Sequence, residues 1–153
     1  LRLLPNVRGI CYDPDKRAHG LLAKMAAVNN VSDRVELRNL CTPETLEDDL
    51  DKCSSALVII DCEGAEMDVI DSVKCKNLAK ASLVIETHDF KRAGVSDYLI
   101  EQLSNSHRIE IIESSDRSTS DFPDVSDLPD EIKLKIMDEK RGGKQSWMIA
   151  TPV

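Results

Sequence analysis

The stretch that most constrains the fold is residues 56–73, ALVIIDCEGAEMDVIDSV. Five apolar residues, Ala56 to Ile60, give way at once to Asp61, Cys62, Glu63, Gly64, Ala65 and Glu66. A short, continuous apolar run bounded by polar residues is the pattern of a fully buried strand in a parallel sheet. Met67, Ile70 and Val73, spaced by three, then predict a helix. Three carboxylates therefore fall where a buried strand ends and a helix begins, which is where open α/β sheets bind ligands. Acidic residues also cap helix starts and face the positive end of the helix dipole. Whether this turn belongs to a site depends on how the other strands end.

They end in the same way. Residues 8–13, RGICYD, read as a strand closing on Asp13, and Pro14 suits the first position of a helix. Ala18, Leu21, Leu22, Met25 and Ala26 give that helix one apolar face, and Asn29-Asn30 stops it. Residues 34–39, RVELRN, alternate as a half-exposed edge strand ending at Asn39. Thr42-Pro43 opens a second helix, with Leu46, Leu50 and Cys53 as its apolar side. Residues 81–87, ASLVIET, form another apolar strand, followed by His88 and Asp89.

The remainder continues the alternation. A helix from about residue 95 to 104 carries Tyr98, Leu99, Gln102 and Leu103, with Ser96 as its cap, and residues 108–114 form a strand. Residues 115–126 are rich in Ser, Asp and Pro and read as a mobile loop. A helix over 129–140 puts Ile132, Ile136 and Met137 on one face, Arg141-Gly142-Gly143 turns the chain, and residues 145–151 close it as a strand. Alternating strands and helices define an α/β fold: a mostly parallel, Rossmann-like sheet with helices on both faces. The polar loop and Gly-Gly before the last strand suit an antiparallel return. In such a sheet Asp13, Asn39, Asp61 and Glu86 with His88 point into one crevice. An acid at a strand end commonly takes the ribose hydroxyls of a nucleotide-like cofactor. Asp13 suits that role and suits helix capping equally.

Composition narrows the function. The 153 residues make one domain, and with 3% aromatics its core must be aliphatic. A net charge of −8 argues against a nucleic-acid platform and against a polybasic membrane surface. No apolar run approaches the length of a membrane span. The five cysteines contain no C-x-x-C pair and no zinc spacing, which points to reduced thiols and a cytoplasmic setting.

Together these residues resemble a known family. Strand–Asp61-Cys62-Glu63-Gly64-Ala65-Glu66–helix, then strand–Glu86-Thr87-His88, is similar to the FkbM-type methyltransferases that use S-adenosylmethionine. Tyr12-Asp13-Pro14-Asp15, Asn29-Asn30 and Trp147-Met148-Ile149-Ala150 resemble that family's second strand end, following helix end and closing strand. The resemblance runs from about Gly9 onward. It implies S-adenosylmethionine as cofactor, at Asp13, Pro14, Asn39, Leu40 and Asp61. It also implies O-methylation of a sugar or other small hydroxyl compound. His88, the one histidine at a predicted strand end, would take the acceptor's proton, since imidazole titrates near ~6.5. Glu86, two residues earlier on the same face, or Glu63 would orient it. Asp61 and Glu63 would face the sulfonium or position the acceptor. A divalent ion is allowed there but would need further oxygen ligands, and no metal ligand is assigned.

The family's first strand and Gly-rich loop are not found, because none of Gly9, Gly20, Gly64, Gly94, Gly142 and Gly143 forms G-x-G after a strand. The chain opens on Leu1. The expectation is a single, N-terminally incomplete methyltransferase-like domain over residues 1–153, with strands 8–13 and 56–60 unpaired on their facing edges. A non-catalytic domain of this fold, used for protein contacts, remains open. So does a metal-dependent D-x-E exonuclease, although acidic charge and a helix after the motif oppose it. A P-loop NTPase is excluded, since G-x-x-x-x-G-K-[ST] does not occur.

Overall fold

The computed structural model describes residues 1–115, 118, 127–138, 143 and 145–153. Among the described residues six strands and five α-helices follow the expected order: β1 (Gly9–Tyr12), α1 (Lys16–Val28), β2 (Val35–Arg38), α2 (Pro43–Leu50), β3 (Leu57–Ile60), α3 (Glu66–Val69), β4 (Ser82–Thr87), α4 (Val95–Leu103), β5 (His107–Glu113), α5 (Asp130–Met137) and β6 (Ser146–Pro152). The first four strands pair in parallel, β1 with β2 and β3 with β4. As expected, the last strand is antiparallel, and it lies between β4 and β5. The strands form two hydrogen-bonded sheets, β1-β2 and β3-β4-β6-β5. Among the described residues no ladder joins β1 to β3.

The core lies on one face of the larger sheet. Ile60, Leu83, Ile85, Met148 and Ala150 meet Leu46 and Leu50 of α2, Leu78, and Leu99 and Leu103 of α4. β3 is not buried on both faces, contrary to the reading of its apolar run. Val58 and Ile60 pack inward, while Leu57 and Ile59 are 61% and 66% exposed. Period-two geometry makes this unavoidable when only one face is covered. The apolar run recorded a strand fit for two covered faces, and only one is covered by the described residues.

Other local expectations are corrected in the same way. α1 begins at Lys16 with Asp15 as its cap, so Pro14 lies before the helix and Asp13 is not the cap. Leu21 and Met25 are exposed and only Ala26 of the α1 face is buried. The helix after the acidic turn is a single turn, and Val73 is exposed. Thr42 and Pro43 cap and start α2 as read, with Thr45 closing the capping box, but Cys53 falls beyond the helix and is exposed. Gly94, at φ 82°, caps α4 in place of Ser96, a left-handed conformation open to glycine. Asp89 instead accepts bonds from the Ser96 backbone and hydroxyl. α5 buries Met137 but leaves Ile132 and Ile136 largely exposed. The loop read over 115–126 and the turn at 141–143 lie mostly outside the described residues.

The smaller sheet is tied to the helical layer by a polar node. Asp49 of α2, almost fully buried, accepts the Tyr12 hydroxyl at 2.6 Å and the Arg38 guanidinium at 2.6 and 2.7 Å. Arg38 also donates to Tyr12 at 2.9 Å and to Glu36 at 2.7 Å. Burial pushes the Asp49 carboxyl up, but the bonds from Tyr12 and Arg38 outweigh it and hold it below the usual carboxylate range.

Candidate active site

The acidic turn after β3 is built from unusual backbone. Glu63 sits at φ 59° and Gly64 at φ 106°, both left-handed. Glycine bears this at little cost, and a side chain at Gly64 would also reach Lys91 Cβ at 3.4 Å. The turn folds Glu66 back under itself, where its Oε1 accepts the Gly64 amide at 3.2 Å. Glu66 opens α3 and is 0% exposed.

The turn after β4 meets it. His88, the residue after the strand, is 1% exposed and partnered, so it is not a loop histidine without a partner. Its Nδ1 lies 2.5 Å from Glu66 Oε1. Its Nε2 faces the other two acids, 3.4 Å from Glu63 Oε2 and 3.8 Å from Asp61 Oδ1. The Phe90 ring tilts against the imidazole at 5.8 Å. Two ion pairs clasp the turns together, Lys91 with Glu63 and Arg92 with Asp68. The backbone amides of Lys91 and Arg92 close onto the His88 carbonyl at 2.9 and 3.0 Å.

The sequence-predicted residues therefore fall into three groups. Asp61, Glu63 and His88 converge. Glu86 is buried at the end of β4, opposite Trp147. The residue read as orienting His88 is Glu86 or Glu63; Glu63 lies 3.4 Å from the imidazole Nε2, and Nδ1 is held by Glu66. Glu66 was visible as the last letter of D-x-E-G-x-E, and only the left-handed turn brings it under the imidazole. The third group, Asp13, Pro14, Asn39 and Leu40, stands at the ends of β1 and β2. There Asp13 N bonds Arg38 O at 3.1 Å and its Oδ1 accepts Asp15 N at 2.7 Å. Leu40 is 64% exposed.

Charge sets what this arrangement can do. Burial, and then the charge of Glu66, push the Cys62 thiol up to about 12, so it is no nucleophile at neutral pH. Asp61, Glu63 and His88 bring three ligand atoms within 4.8 Å of one another. Lys91 already supplies Glu63 with a cation, and no metal is assigned to the cluster. The imidazole faces two carboxylates with one nitrogen and is anchored through the other. Such a nitrogen can exchange a proton with a hydroxyl that comes within hydrogen-bond reach of it.

No protein-family model matches the chain, and no curated protein matches its sequence. Solved structures match its fold. A domain from Corynebacterium diphtheriae assigned as a precorrin-6Y C5,15-methyltransferase is 13% identical, with a TM-score of 0.56 over 100% of this chain and 78% of that one. The O-methyltransferase TomG from Streptomyces achromogenes, involved in tomaymycin synthesis and solved with S-adenosylmethionine, is 14% identical with a TM-score of 0.54. An O-methyltransferase from Bacillus cereus, solved with S-adenosylhomocysteine, is 10% identical with a TM-score of 0.54. This chain spans 63% of each of those two proteins. The fold is thus the Rossmann-like fold of S-adenosylmethionine-dependent methyltransferases.

Proposed function

We propose that residues 1–153 form one FkbM-type methyltransferase domain that transfers a methyl group from S-adenosylmethionine to an oxygen of a sugar or other small hydroxyl compound. The observation that carries this reading is His88, buried at the carboxyl end of β4 with Nε2 turned toward Asp61 and Glu63.

The residues present fit the nucleoside half of the cofactor. Asp13 engages the chain through Oδ1, which leaves its second oxygen for ribose hydroxyls. Leu40 offers an exposed apolar side chain to a base, and Pro14, Asn39 and Asp61, all just past strand ends, would border the same rim. The methionine half needs a cradle between β1 and β3, where the described residues offer none. On this reading one further parallel strand and its turn fill that slot and complete the domain.

When bound, the cofactor supplies an electrophilic methyl on a sulfonium. The chain's own residues do the rest. Asp61 and Glu63 hold the acceptor hydroxyl beside His88, whose Nε2 takes the proton as the oxygen attacks. A small-molecule acceptor, with neither nucleic acid nor membrane as partner, suits the net charge of −8. Five free cysteines suit a cytoplasmic setting. No helix among the described residues is long and apolar enough to cross a membrane.

The test uses the full natural protein. S-adenosylmethionine is titrated calorimetrically, and methyl transfer to a set of sugars and small alcohols is followed with labelled cofactor. His88→Ala is expected to lower turnover by about 10²–10⁴-fold while cofactor affinity is retained. Turnover within about threefold of wild type, far short of that range, would remove His88 as the base. A protein that binds no S-adenosylmethionine would leave only the non-catalytic use of the fold.

A further inference from the structure

We propose that Glu66 is a positioning residue: its buried carboxylate fixes the tautomer of His88 and balances the positive charge that His88 acquires when it takes a proton. This rests on the proton-accepting role of His88 proposed above.

Three observations lead here. First, both partners are fully withdrawn from water, and the contact is 2.5 Å between Nδ1 and Oε1. An ionised carboxylate only accepts hydrogen bonds, so Nδ1 must carry the hydrogen. The lone pair then sits on Nε2, the nitrogen that faces Asp61 and Glu63. Second, Glu66 Oε1 also accepts the Gly64 amide, which fixes the carboxylate independently of the imidazole. Third, Glu66 Oε2 is buried and accepts no hydrogen bond among the described residues. A buried carboxylate oxygen left unsatisfied is costly, and in a native protein such an atom calls for an explanation. Purely structural use of Glu66 as a cap for its own turn needs no charge. A neutral glutamine would make the same bond to Gly64.

The chemistry supplies the explanation. S-adenosylmethionine, when bound, would supply the methyl from a sulfonium, and its carbon–sulfur bond would break, leaving neutral sulfur, as the acceptor oxygen forms its bond to carbon. The acceptor's O–H bond breaks and its proton moves to Nε2. One positive charge leaves sulfur and one appears on the imidazole, which later returns its proton to water. Around that imidazole stand Glu66 from α3, Asp61 and Glu63 from the turn after β3, and Lys91 from its own turn. Lys91 already neutralises Glu63, and Asp61 is half exposed. Glu66 is the countercharge held out of water, where electrostatic interactions are strongest.

Glu66→Gln separates charge from shape. The amide oxygen that replaces the carboxylate can still accept both Gly64 N–H and His88 Nδ1–H, and a flipped amide would strand the Gly64 N–H. The variant should keep its thermal midpoint, its affinity for S-adenosylmethionine and its KM for the acceptor. Its kcat should fall roughly tenfold or more, a share of the ~10²–10⁴ that a positioned base contributes. Combined with His88→Ala, it should add almost nothing. Nitrogen-15 NMR of the wild type should show His88 protonated at Nδ1 and bare at Nε2. An Nε2-protonated His88, or a folded Glu66→Gln enzyme with kcat within threefold of wild type, would overturn the proposal. If His88→Ala itself keeps turnover, the base assignment fails first, and the NMR signal still reports whether the pair exists.

Discussion

At the scale of single residues, the sequence revealed which side chains converge more fully than how they pair. Asp61, Glu63 and His88 were legible because strand ends in a parallel sheet share a rim. Glu66 was not assigned, because its place depends on two consecutive left-handed residues, Glu63 and Gly64. A non-glycine residue in that region leaves little trace in local pattern. Asp13 had two readings, cap or cofactor ligand, and the structure removes the first by giving the cap to Asp15. Asp13→Asn should therefore leave the thermal midpoint almost unchanged, since asparagine can accept the Asp15 amide equally well. It should weaken S-adenosylmethionine by about 1–3 kcal/mol in calorimetry, the usual loss of a hydrogen bond made by a charged group. A lowered midpoint with unchanged affinity would return Asp13 to a structural role.

At the scale of elements, the expected order of strands and helices is present, and the errors lie in depth. Period and capping residues locate α1, α2 and α4 to within a few positions. They do not say which apolar faces find a partner. Leu57, Ile59, Leu21 and Met25 were all read as covered and all are exposed. The joint between β1, β2 and α2 was also invisible in the sequence, since Tyr12, Arg38 and Asp49 lie far apart along the chain. Asp49→Asn should lower stability at neutral pH by about 1–3 kcal/mol, through its charge-assisted bonds. The sign with pH follows from its depressed carboxyl. Its stabilisation is complete above the unfolded value near ~3.9 and fades as pH falls through the lower folded value. Wild type and variant should therefore unfold at converging midpoints as thermal melts are taken below about pH 4.

At the scale of the whole molecule, the described residues carry no ladder between β1 and β3, which leaves an edge of each strand without a neighbouring strand. Exposed strand edges are liabilities that proteins ordinarily cover. Hydrogen exchange on the 153-residue chain should find β4, flanked on both sides by β3 and β6, the slowest strand. The β3 amides not bonded to β4, and the β1 amides not bonded to β2, should exchange at nearly unprotected rates. Strong protection throughout β1 and β3 would mean that the slot is closed in solution. The position of that slot has a thermodynamic consequence. A strand seated there in parallel with its neighbours would end between Asp13 and Asp61, so its terminal turn would become part of the crevice rim. Closing the sheet and finishing the binding surface would then be a single equilibrium. A ligand that engages that rim would raise the melting temperature in proportion to the logarithm of its concentration, and a substitution that loosens the strand would register as lost affinity.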